Sequence, residues 1–298
     1  LGVFAIFGVF AAVGAGLASF SVLMGAAAQA VPENKRGFAS GLINAGSSMG
    51  QFVFAPLTQF MIGRWDWITA GVGLGVIALS TIPLVVWITG KVGAHSTSQA
   101  PAERVSFSSA WCSPNYKLLH LGFFTCGFHI AFLVTHLPGE ISICGLPASV
   151  AGTALALIGL FNIFGSLIVG YLCGQFSMPR VLGNLYLIRA IAVVVYIFAP
   201  KTELTWYIFA GVLGATWLAT VPPTAGMVGG LFGARNLATL FGMTMLSHQI
   251  GAFLGTYLGG LAVEYSANYA WMWWADATLA LMAALASFAV KLPAKAVA

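Results

Sequence analysis

Polar side chains are scarce in this chain, so the few that interrupt its long apolar runs carry most of its chemistry. His129, Asn162, Trp217 and His248 each stand about halfway along such a run. A neutral imidazole both donates and accepts, and its unperturbed pKa of about 6.5 suits it to carry a proton. His129 shares a helical face with Thr125, Phe132 and His136; the competing reading is a packing histidine bonded to a neighbouring carbonyl. Asn162 can orient an oxyanion or bridge two helices. Trp217 lies among Thr216, Thr220 and Thr224 around Pro222 and Pro223, where proline frees carbonyls and bends a helix, as a gate or a solute contact would need. His248 shares its face with Thr244, Gly251, Gly255 and Gly259, and those glycines allow close helix approach. Gln51 stands at mid-depth on a polar seam with Asn44, Ser47 and Ser48.

Two charges also fall within apolar runs. Arg189 either reaches a cavity as an anion partner or snorkels toward the near interface. Asp276 reads as an outer-interfacial, structural group. The candidate binding set is therefore His129, Asn162, Trp217, Thr220, His248, Gln51 and Arg189, with His129 and His248 as candidates for proton coupling. Catalytic chemistry has no support. The sequence holds no HExxH, no G-x-S-x-G and no phosphate-binding glycine loop. Cys112, Cys126, Cys144 and Cys173 have no CxxC spacing. We expect no metal and no cofactor.

The elements that position these residues follow from composition. Only 6% of residues are charged and 59% are hydrophobic, with mean hydropathy +0.94. Soluble chains devote about a quarter of their residues to charged types. Nine apolar stretches of spanning length fall at roughly 1–29, 38–61, 68–90, 118–137, 149–173, 181–199, 204–228, 236–260 and 268–290. They lack the period-2 alternation of a barrel, so the expected fold is an all-α, polytopic membrane bundle.

Basic residues orient the bundle. With the first span running inward, Lys35, Arg36, Lys91, Arg104, Lys117, Arg180, Arg235, Lys291 and Lys295 lie inside, against only Arg64 and Lys201 outside. This positive-inside bias predicts a cytoplasmic C-terminus in a plasma (inner) membrane. Trp65, Trp67, Trp206, Trp271, Trp273 and Trp274 then form an outer interfacial belt, and Glu140 falls in an outer loop. The net charge of +5 is a topology signal, since no clustered basic groove supports nucleic-acid binding.

An internal repeat subdivides the chain. The run from Arg36 through Gly41, Gly46 and Gly50 parallels that from Arg235 through Gly242, Ser247 and Gly251, and each leads outward to an aromatic loop. With the polar stretch 91–117, this gives three helices in 1–90, a cytoplasmic linker at 91–117 and a six-helix bundle in 118–298.

The run PENKRGFASGLINAGSSMGQFVFAPL (32–57) and the arrangement of the remaining helices resemble the major facilitator superfamily, most similarly its monocarboxylate-porter-like branch. Gly170-Tyr-Leu-Cys-Gly174-Gln-Phe-Ser-Met-Pro-Arg180 is similar to the superfamily's inner-loop motif, with Gly174 at its acidic position. The branch typically carries a carboxylate-holding arginine on the helix of Asn162, whereas 149–173 contain no charge. The resemblance implies helices four to twelve of a twelve-helix, two-bundle transporter. The odd count, outside start and missing Met lead us to expect about three further helices upstream.

Together these readings predict a monomeric secondary transporter in the lipid bilayer. It would move a small polar solute, an organic anion, by alternating access with possible proton coupling. An exporter of amphipathic compounds and a non-transporting sensor on the same scaffold are the alternatives.

Overall fold

A computed structural model describes residues 20–32, 35–83 and 105–292. Its helices are α1 (Phe20–Ala30), α2 (Arg36–Arg64), α3 (Trp67–Ser80), α4 (Phe107–Trp111), α5 (Pro114–Ile143) and α6 (Ala148–Leu172). They continue with α7 (Met178–Phe198), α8 (Glu203–Thr216), α9 (Val221–Phe232), α10 (Ala234–Ser266) and α11 (Ala270–Ala289). No strand occurs among the described residues. Six helical segments there are long and apolar enough to cross a membrane: α5, α6, α7, α8 with α9, α10 and α11. The expected spans 1–29 and 68–90, and the linker 91–117, extend into residues outside those described.

Local chemistry sets many of the ends. Asp66, in extended conformation, caps α3 by accepting from Thr69 N–H at 2.7 Å and from the Thr69 hydroxyl at 2.9 Å. Pro114 and Pro179 sit in first turns, where a missing N–H costs nothing. Gly233, at φ +83°, makes the sharp turn from α9 into α10.

Glycine lets the long helices meet backbone to backbone. A Cβ on Gly127 of α5 would lie 1.8 Å from the His248 carbonyl oxygen of α10, and one on Gly251 would lie 2.0 Å from that of Phe124. Gly165 of α6 abuts the Ala215 carbonyl of α8 in the same way. On the other flank, Gly41 of α2 meets Ser166 and Gly170 of α6, and Gly25 of α1 meets Ala238 of α10. The segment 20–64 thus touches the 114–289 bundle along two lines.

Two outer-belt expectations need correction. Trp65, Trp67, Trp271 and Trp274 are exposed, but Trp206 and Trp273 are buried against Tyr196 and Phe209. Their helical phase turns them into the bundle. Glu140 is likewise no loop residue: α5 runs past it, and its buried Oε1 accepts from Tyr196 O–H at 2.8 Å and Trp273 Nε1–H at 3.1 Å.

Candidate functional site

The site forms where one span is broken. α8 ends at Thr216, α9 begins at Val221, and residues 217–220 between them leave the helical path. Pro222 has no N–H to give the Leu218 carbonyl. Asn44 of α2 supplies a donor instead at 2.9 Å, alongside the Val221 N–H at 3.0 Å. The Leu218 N–H in turn donates to Asn162 Oδ1 of α6 at 2.9 Å. Side chains from other helices complete the backbone that proline disrupts.

Arg189 of α7 is part of the same repair. It is fully buried, and its Nη2 donates to the carbonyls of Thr216 (2.5 Å) and Trp217 (3.0 Å). The guanidinium therefore does not snorkel. Its Nε and Nη1 have no hydrogen-bond partner. A guanidinium remains charged in proteins, and a buried one with open donors is costly in a membrane unless an anion answers it.

A second ionisable pair stands beside it. His129 Nδ1 lies 2.5 Å from Asp276 Oδ2, and both side chains are fully buried. Where Asp276 is ionised its carboxylate only accepts, and Nδ1 then carries the proton and donates. That leaves His129 Nε2, itself unpartnered, as the atom that can gain or release a proton, while Asp276 Oδ1 is also open. The Trp217 ring lies 5.9 Å from the imidazole. Thr220 Oγ1 meets Cys126 Sγ at 3.4 Å. Arg189, His129, Asp276, Trp217 and Thr220 thus gather around one helix break.

The other expected residues lie at its margin. Asn162 is buried, and its amide is engaged on both sides, donating to Ser48 Oγ at 2.5 Å and accepting from Leu218. His248 presents its backbone to Gly127 and its ring, 6.0 Å away, to Phe123, with Nδ1 unpartnered. The Gln51 side chain lies outside what is described. The sequence reading missed the partnership of Asp276 with His129, because residue counts along single helices do not register one helix against another.

A cavity of about 410 Å³ opens at the end of the bundle where α2, α7 and α10 begin. Its lining climbs α9 to Pro222, two residues from Thr220.

This broken-helix bundle, with buried charges gathered at the break, has the architecture of a polytopic transporter. The profile of the Major Facilitator Superfamily matches residues 1–217, and the chain belongs to that superfamily. Members of this family are transporters rather than enzymes, and the chain is an integral, multi-pass membrane protein. It is similar to the uncharacterized MFS-type transporter YcxA of Bacillus subtilis, at 24% identity over 80% of this chain and 60% of the relative. It is also similar to monocarboxylate transporter 13 of Rattus norvegicus, at 23% identity over 79% of this chain and 55% of the relative. The oxalate:formate antiporter of Oxalobacter formigenes is 21% identical over 95% of this chain and 67% of the relative. The chain thus spans little more than half the length of the first two of these.

Proposed function

We propose that the protein is a secondary active transporter that moves a small organic anion, in the carboxylate class, together with a proton. The observation that carries this is the pair of unpartnered donors of Arg189, Nε and Nη1, beside the His129–Asp276 pair. With His129 neutral, Arg189 and Asp276 sum to zero. Protonation at His129 Nε2 leaves the cluster at +1, and an anion binding there restores neutrality. In a low-dielectric interior that balance favours loading the two together over loading either alone. Two relatives named for carboxylate transport support this solute class.

In this reading Arg189 holds the anion, His129 carries the proton, and Trp217 and Thr220 line the path at the break. The halves 1–90 and 118–298 rock about the site, and the cavity end, with the C-terminus, is cytoplasmic. The membrane is the plasma membrane.

Proteoliposomes of the full-length protein test the proposal with a panel of short mono- and dicarboxylates, with and without a pH gradient. His129→Gln keeps polarity but removes titration. It should abolish gradient-driven accumulation while leaving exchange measurable. Arg189→Gln should weaken apparent affinity by tenfold or more. Gradient-driven accumulation by His129→Gln at the parent level would remove the coupling role. Binding of an anion without flux would point to a sensor.

A further inference from the structure

The cavity at the cytoplasmic end has a chemistry of its own. Arg36, from the start of α2, and Arg180, from the start of α7, both line it, and no acidic side chain does so among the described residues. Arg36 spends its Nε on the Val31 carbonyl at 3.2 Å, while Arg180 is exposed. Ser40, one turn along α2 from Arg36, also lines the cavity; it is 1% exposed, and its hydroxyl has no partner. Gln175 and Ser177 add further polar groups. The first turns of α2, α7 and α10 open onto this space through Gly37, Met178 and Ala234, and none of the three helices has a side-chain cap. Uncapped N-terminal N–H groups carry partial positive charge and favour anions. The ends of α9 and α11 are also present, through Gly230 and Phe288, and oppose that field in part. The two guanidiniums tip the balance.

We propose that this cavity is a second anion site, taking an oxyanion, carboxylate or phosphate, on Arg36 and Arg180. It is distinct from the site at Arg189, which does not line it. The ligand comes either from the cytoplasm as a free anion or from the inner leaflet as an acidic lipid headgroup. The chemistry is shared: a planar or tetrahedral oxyanion meets two guanidiniums in a space that no carboxylate lines among the described residues. The cavity draws walls from both 20–40 and 173–292, so an occupant bridges them.

The full-length protein in neutral detergent, titrated with inorganic phosphate and with malonate, gives the test by thermal unfolding. Either anion should raise the midpoint in a saturable way. Arg180→Gln, at an exposed position that threatens no core packing, and Arg36→Gln should each lower the apparent affinity at least tenfold. Arg189→Gln should keep the phosphate response, which separates this site from the transport proposal. A parallel arm reconstitutes the protein with phosphatidylglycerol or with phosphatidylcholine alone and measures retained lipid by mass spectrometry. Retention of the acidic lipid by the parent, lost in Arg36→Gln/Arg180→Gln, identifies the headgroup as the source. A phosphate response or lipid retention unchanged in the double variant, or absent from the parent in both arms, overturns the site.

Discussion

Asn162 shows what a single polar side chain in a membrane can be used for. Read alone in the sequence, it is an amide able to hold solute or to bridge helices, and spacing does not choose. The structure spends it on Ser48 and on the N–H of Leu218, left open where α8 ends. Removing one partner of a buried hydrogen bond costs about 1–3 kcal/mol. Asn162→Ala should therefore lower the thermal stability of the detergent-purified protein by that amount and leave apparent solute affinity within about twofold. A large rise in KM with unchanged stability would return Asn162 to the binding site. His129 was legible as a candidate because its type and depth are both visible in sequence. Asp276 as its partner was not, since partnership depends on how α5 and α11 are registered.

The helices themselves were largely legible. Hydropathy located the six spanning segments, and the Pro222–Pro223 pair announced a bend. The ends were less so: α5 runs to Ile143 and α10 to Ser266, beyond the apolar stretches, because a helix can outlast its hydrophobic core. The glycines on the α10 face did announce close approach, and the α5–α10 contact supplies it. Within that contact Gly127 has no room for a methyl group. Gly127→Ala should force the two helices apart and lower the unfolding temperature markedly, as overpacking of a tight core typically costs about 1–3 kcal/mol. Gly152→Ala on α6 meets open space and should be neutral or stabilise by up to about 1 kcal/mol. Equal effects from the two variants would mean that α5 and α10 are not in close contact in the membrane.

Two native cysteines mark opposite ends of the molecule. Cys112, exposed, precedes α5, and Cys144 follows it, with 30 residues of helix between them. Cys126 and Cys173 are buried. In intact cells an impermeant maleimide should label Cys144, and should label Cys112 only after permeabilisation. Burial, and then the nearby Glu140 carboxylate, push the Cys144 thiol above its ordinary range. Less of it is thiolate at neutral pH, so its labelling should quicken as the pH is raised toward about 9. Labelling of Cys112 in intact cells would invert the topology.

The contact between α2 and α6 is bonded by amides and hydroxyls, Asn44 to Ser166 and Asn162 to Ser48. Parted into lipid, each of these groups would be stranded at a cost of several kcal/mol; parted into a wet cleft, each finds water at little loss. The choice of groups along this line therefore dictates a solvent as well as a partner. Any parting of these helices would therefore have to admit water, so hydration would set where the molecule could open.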